Sequence, residues 1–142
     1  MGNIIGRDSQ IETLNTALAS NQSEFVAVVG RRRIGKTFLI KSFFEEDICF
    51  YVTGVQNQPM KTQLQAFANE LRFRSKRFIG VPKNWLEAFA MLRDYVETVE
   101  TKKRKLFFWM NYHGLIHNVL GFYRFLLISG TRGRLGNIIL FW

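Results

Sequence analysis

The feature that most constrains the fold is a glycine-bounded loop between two apolar segments, VVGRRRIGKTFLI at residues 28–40. The segment before the loop, FVAVV at 25–29, is short, unbroken and rich in β-branched residues, which is typical of a strand buried on both faces of a parallel sheet. The segment after it, KTFLIKSFFEE at 36–46, is predicted to be a helix. A strand that leads through a G-x-x-x-x-G-K-T loop into a helix is the setting of a Walker A phosphate-binding loop.

The residues of this loop suit the binding of phosphates. Gly30 and Gly35 allow the tight turn that aims backbone amides at phosphate oxygens, and the helix N-terminus adds about half a positive charge. Lys36 is predicted to reach the β- and γ-phosphates, and Thr37 to hold Mg²⁺ through its hydroxyl. The predicted nucleotide-binding residues of this stretch are Gly30, Arg31, Arg32, Arg33, Ile34, Gly35, Lys36, Thr37 and Phe38. The alternative is a glycine turn followed by Lys-Thr by chance.

The rest of the chain alternates predicted strands with predicted helices. Further strands are expected at 48–52, 105–109 and 137–142, and helices at 7–20, 61–74 and 84–100. Asp8 or Ser9 is suited to cap the first helix, and Asn84 with Glu87 makes a variant of the capping box for the last one. This alternation predicts an α/β fold with a parallel sheet.

Several stretches of the chain fit one pattern: IIGR (4–7), FVAVVGRRRIGKTFLIKSFF (25–44), FYVTG (50–54), QLQAFANEL (63–71) and WLEAFAMLRDYV (85–96). Together they resemble the AAA-type ATP-binding proteins of archaea and bacteria, within the P-loop NTPases. The resemblance covers residues 4–108, and GRRRIGKT is its most specific part. It implies a P-loop NTPase parallel sheet flanked by helices, with ATP and Mg²⁺ as cofactors. A cytoplasmic location is expected on other grounds, because the single Cys49 fits a reducing compartment.

The resemblance also carries expectations for both ends of the chain. In that family a hydrophobic-hydrophobic-Gly-Arg motif lies near the adenine, which assigns Ile5, Gly6 and Arg7 to the base end of ATP. An exposed charge near a helix start is the alternative for Arg7. The family's chain continues past the strand at 137–142, so we expect residues 1–142 to be the N-terminal part of the domain, with a sheet that is incomplete at the C-terminus. The expected partner is ATP or ADP, with no specific nucleic acid and no membrane.

The strand at 105–109 should end in the acids that the family uses for hydrolysis. The resemblance implies Asp-Glu at that point, the Asp holding Mg²⁺ and the Glu orienting the attacking water. This chain has Met110 and Asn111 instead, and no Asp or Glu follows Glu100. A thioether is a poor Mg²⁺ ligand, and an amide does not take up a proton. We therefore expect hydrolysis to be lost or very weak, and we assign no catalytic residue.

The genetic code offers an explanation for the missing acids. When the last base of each codon is read with the first two bases of the next, Trp109-Met110-Asn111 gives Asp-Glu whichever codon encodes Asn111. The codons that follow force Leu and then permit the Pro, Trp, Asp and Thr of the family pattern in their order. Our hypothesis is that residues 110–136 are translated out of frame and are the least ordered part of the chain, whereas 1–109 and 137–142 are family-like. A divergent sequence is the alternative.

Charge and composition leave other functions open. The net charge is +9, and residues 101–142 hold seven of the 20 Lys and Arg residues and no acid. Such asymmetry is often found at a nucleic-acid or membrane surface, but here the out-of-frame hypothesis also explains it. A non-enzymatic basic or membrane-associated fragment is the alternative function. The stretch 106–128 is long enough to span a bilayer, although its Asn, His and Arg residues are costly in lipid.

His113 and His117 have the spacing of helical Zn²⁺ ligands but lack a third ligand, and the single Cys49 excludes an internal disulfide.

Overall fold

A computed structural model describes residues 5–20, 34–44, 48–99 and 106–110, the single positions 121 and 124, and the backbone of 25–28 and 138–141. Four helices and four strands lie in this part of the chain. In chain order they are α1 (Asp8–Ala19), β1 (Phe25–Val28), α2 (Lys36–Phe44), β2 (Ile48–Thr53), α3 (Met60–Ser75), α4 (Trp85–Thr98), β3 (Leu106–Met110) and β4 (Ile138–Phe141).

The strands form one parallel sheet in the order β1-β4-β3-β2. The pairing register brings the last residues of the four strands, Val28, Phe141, Met110 and Thr53, into one row. This row marks the carboxyl edge of the sheet, the edge at which ligands bind in open α/β folds. The α/β class and the parallel sheet predicted from the sequence are confirmed.

Helices cover both faces of the sheet. The chain crosses from β1 to β2 in one direction and returns through β3 to β4 in the other. Because parallel crossovers are right-handed, this reversal of direction places α2 and the pair α3–α4 on opposite faces. The side chains of β3 alternate accordingly: Leu106 and Phe108 pack in the cluster that contains α1 and α2, whereas Phe107 and Trp109 pack against α3 and α4. All four are at most 2% exposed, which explains the continuous apolar run in the sequence.

An aromatic cluster joins the sheet to α3 and α4. The Phe67 ring lies 5.3 Å from Phe50, 6.0 Å from Trp85 and 6.1 Å from Trp109, measured between ring centroids. These distances and the tilted, edge-on and stacked arrangements are those that aromatic pairs prefer. The apolar face of α3 is buried as a whole: Leu64, Phe67, Ala68 and Leu71.

The caps of two helices test the sequence predictions directly. Asn84 caps α4 as predicted, since its side-chain oxygen accepts a hydrogen bond from the Glu87 amide at 2.9 Å. The prediction that Asp8 or Ser9 caps α1 is wrong. The helix begins at Asp8, and the N-cap position belongs to Arg7, which makes no side-chain cap hydrogen bond. The Arg7 side chain bonds to the Ile34 carbonyl instead.

The segment that we interpret as out of frame is described only in part. Its first residue, Met110, is the last residue of β3 and pairs with Thr53 and Phe141. Residues 111–120, 122, 123 and 125–136 lie outside the described residues, and His113 and His117 are among them. That this segment is the least ordered part of the chain therefore stays a prediction.

Candidate functional site

The described part of the phosphate loop, Ile34 and Gly35, leads directly into α2. Gly35 has a φ of +80°, in the left-handed region that costs any residue with a Cβ. No described atom lies within 4 Å of the place a Cβ would take, so the backbone conformation, not crowding, demands glycine here. The Gly35 carbonyl accepts the first helical hydrogen bond, from the Leu39 amide at 2.9 Å. The positive end of the α2 dipole therefore begins at this glycine.

The first turn of α2 carries the three remaining residues predicted from the motif. Lys36 and Thr37 are partly buried, and Phe38 is 62% exposed. No acidic residue lies in this turn. A cation at the start of a helix is electrostatically unfavourable unless an anion is nearby, because it adds to the positive end of the dipole. Lys36 and the helix dipole therefore both contribute positive charge at this end of α2.

Thr37 lies against the end of β3. Its hydroxyl donates a hydrogen bond to the Met110 sulfur at 3.4 Å, within the longer range expected for sulfur acceptors. Met110 is partly buried and belongs to the carboxyl-edge row of the sheet. The predicted metal ligand and the residue that stands in place of the expected acid are therefore direct neighbours.

The N-terminal segment also reaches the loop. The Arg7 guanidinium donates a hydrogen bond to the Ile34 carbonyl, across 27 positions of sequence. Gly6, immediately before it, has a φ of +72° with open space at its Cβ position, so the segment turns there in a conformation that favours glycine. Ile5 is 84% exposed. The structure thus brings Arg7 to the loop, and it leaves an apolar side chain at the surface beside it.

Two polar residues near this edge were not identified from the sequence. Thr53 pairs with Met110 in the sheet, and its hydroxyl donates to the Tyr51 hydroxyl at 3.0 Å. Gln63 holds the loop after β2, accepting a hydrogen bond from the Val55 amide at 2.8 Å and donating to the Val55 carbonyl. The position of Thr53 directly after the strand predicted at 48–52 was a usable signal, because carboxyl ends of parallel strands meet at one edge. Nothing local distinguishes Gln63 from the other polar residues of its helix.

Acidic side chains are scarce around this edge in the described part of the chain. Asp94 lies on α4, in the helical layer across the sheet from α2, and forms an ion pair with Arg93 at 3.1 Å. Asp47 lies outside the described residues. Across the ranges that the structure describes, no group of three or more His, Cys, Asp or Glu residues is arranged to hold a metal ion. Thr37 is thus the one predicted metal ligand with a described position.

A cavity of about 560 Å³ lies between the end of α3 and α4. Its lining includes Arg74, Phe78, Asp94 and Tyr95. Burial raises the pKa of the Tyr95 hydroxyl above its usual value, and the nearby positive charge of Arg74 opposes that shift. This cavity belongs to the layer of α3 and α4, and its lining includes none of the described residues that are predicted to bind nucleotide.

The predicted site residues can now be placed. Those that the structure brings together are Arg7, Ile34, Gly35, Lys36 and Thr37, with Ile5, Gly6 and Phe38 beside them. Gly30, Arg31, Arg32 and Arg33 lie outside the described residues. In the described ranges, no helix has the length and apolar character needed to cross a membrane.

Comparison with known proteins shows a distant relationship to an uncharacterized archaeal protein and no family. No protein-family model matches the chain. The chain is 37% identical over 96 residues to the uncharacterized protein MJECL04 of Methanocaldococcus jannaschii. That similarity covers 68% of this chain and 21% of the relative, so the chain spans about a fifth of the length of the curated relative that it matches.

Proposed function

We propose that this chain is an ATP-binding unit with the P-loop NTPase fold, of AAA type, in which ATP hydrolysis is lost or very weak. The observation that carries the proposal is the start of α2 beside the carboxyl edge of the sheet, where Thr37 contacts Met110. Gly35 takes a left-handed backbone conformation there, and Lys36 and Thr37 follow at the positive end of a helix. Together with the G-x-x-x-x-G-K-T spacing, this arrangement suits a triphosphate.

The strand order supports the same proposal. Strand β4 lies between β1 and β3, yet the end of β3 still reaches α2 through the contact between Met110 and Thr37. A binding site that lies at a change of direction in strand order is the general rule for open α/β sheets. The phosphate loop follows β1. From β1 the chain crosses the sheet to β2, and it later comes back to pair β4 with β1.

The loss of hydrolysis is proposed from the same contact. The side chain that meets Thr37 is a neutral thioether, which neither binds Mg²⁺ well nor orients water as a carboxylate does. We also propose that the protein acts in the cytoplasm, where ATP is present.

Thermal unfolding with and without nucleotide tests the proposal. A ligand that binds only the folded state stabilises it by about 2.7 kcal/mol at a hundred times its dissociation constant. ATP and ADP should therefore raise the Tm of the chain, whereas adenosine, which lacks phosphates, should raise it much less. If ATP leaves the Tm unchanged and the chain binds DNA with an affinity that falls steeply with salt, the basic-fragment alternative is supported instead.

A further inference from the structure

The residues around Thr37 do not fit the Mg²⁺ site that the resemblance implies. Magnesium in phosphate-loop sites is held by the loop hydroxyl and by an acid on a neighbouring strand, and it demands oxygen ligands at about 2.0–2.1 Å. In this chain the acceptor facing the Thr37 hydroxyl at 3.4 Å is the Met110 sulfur. A thioether is a soft, neutral group that suits softer metals. It offers the metal's bound waters no negative charge.

We propose that Met110 makes nucleotide binding by this chain insensitive to Mg²⁺, so that the free nucleoside triphosphate and its Mg²⁺ complex bind about equally well. This inference rests on the proposed nucleotide-binding function. The Met110 side chain takes the acceptor position beside Thr37, and among the described residues no carboxylate joins Thr37 to hold a metal ion. Binding then depends on contacts between the protein and the phosphates alone.

The charge of the loop suits a metal-free triphosphate. Mg²⁺ cancels part of the negative charge of a triphosphate, and a site without the metal must supply that positive charge itself. The sequence from 31 to 36 contains four cations, Arg31, Arg32, Arg33 and Lys36, and no acid. The first turn of α2 adds no negative charge, and its dipole contributes about half a positive charge.

Titration of the full chain with a fluorescent ATP analogue tests the inference, in buffers that contain either EDTA or excess Mg²⁺. The chain itself should bind with affinities that agree within about threefold in the two buffers. Met110→Asp places a carboxylate beside the Thr37 hydroxyl and should gain affinity by at least about tenfold when Mg²⁺ is added, a change of about 1.4 kcal/mol. Met110→Leu, similar in size and without the sulfur, should remain insensitive.

The possible outcomes separate this inference from the proposed function. A fall of about tenfold or more in the affinity of the unaltered chain on removal of Mg²⁺ overturns the inference and leaves the proposed function standing. The inference is also overturned if a folded Met110→Asp protein has the same nucleotide affinity with and without Mg²⁺, because Met110 then does not determine the response to Mg²⁺. If the chain binds no nucleotide in either buffer, both fail. The unaltered chain decides the matter by itself if Met110→Asp does not fold.

Discussion

The hydroxyl of Thr37 donates a hydrogen bond to the sulfur of Met110 across 3.4 Å, which joins residues 73 positions apart in the sequence. One is the second residue of α2, and the other is the last residue of β3. Their contact shows where the expected acid would lie in the structure, since Met110 stands at the position where the family that this chain resembles carries one. The proposals made above for hydrolysis and for Mg²⁺ both follow from what occupies that place.

ATPase activity should be near background even with saturating Mg²⁺. Loss of a well-placed group that stabilises the transition state commonly lowers the rate by about 10²–10³-fold, and here a thioether replaces one such group. Phosphate release by the purified chain can be measured and compared with that of Lys36→Ala as a background control. Turnover well above the control would show that another acid takes over the role. Asp47 and Asp94 would then be the first residues to mutate.

Gly35→Ala should destabilise the chain and weaken nucleotide binding. The backbone at this position has a φ of +80°, where a residue with a Cβ costs about 1–2 kcal/mol. Gly80→Ala is the matched control, because its Cβ position is equally open and its φ lies outside the left-handed region. Urea denaturation should show a lower free energy of unfolding for Gly35→Ala and little change or a slight gain for Gly80→Ala. Equal stability of the two variants would contradict the assigned loop conformation.

Arg7→Ala should lower nucleotide affinity while leaving the fold intact. The guanidinium of Arg7 bonds to the Ile34 carbonyl next to Gly35, and one such hydrogen bond contributes about 0.5–1.5 kcal/mol. The affinity should therefore fall by about three- to tenfold, since the loop must then be ordered by the ligand. Arg93→Ala is the control, because Arg93 lies on α4 and pairs with Asp94. An affinity for Arg7→Ala that matches this control would make Arg7 a surface charge only.

The encoding DNA should carry the codons that the out-of-frame hypothesis requires. Asp-Glu in the shifted frame follows from Trp109, Met110 and Asn111 whatever codons are used, so the test lies further along. The shifted frame gives Pro only if Tyr112 is encoded by TAC, and Trp only if His113 is encoded by CAT. Sequencing the gene reads both directly. TAT for the first or CAC for the second would count against the hypothesis and favour a divergent sequence.

The elements of the fold were predictable because their signals are local. The four buried residues of β3 form a continuous apolar run, and the side chain of Asn84 caps α4 as its sequence indicates. The α1 cap was not predictable in this way, since the Arg7 side chain turns to a partner 27 positions away. The contact between Thr37 and Met110 is also long-range. Motif spacing names the two residues, but only the strand order β1-β4-β3-β2 brings them together.

Calorimetric titration of ATP into the chain and into Lys36→Ala is the most direct test of the central claim that this loop binds nucleotide phosphates. Hydrogen bonds to a charged group contribute about 1.5–3 kcal/mol, so the variant should bind about ten- to a hundredfold more weakly. Lys41→Ala, on the same helix with its ammonium 4.6 Å from the centre of the Tyr51 ring, should bind like the unaltered chain. A measurable ATP affinity for the chain that Lys36→Ala fully retains would contradict the account.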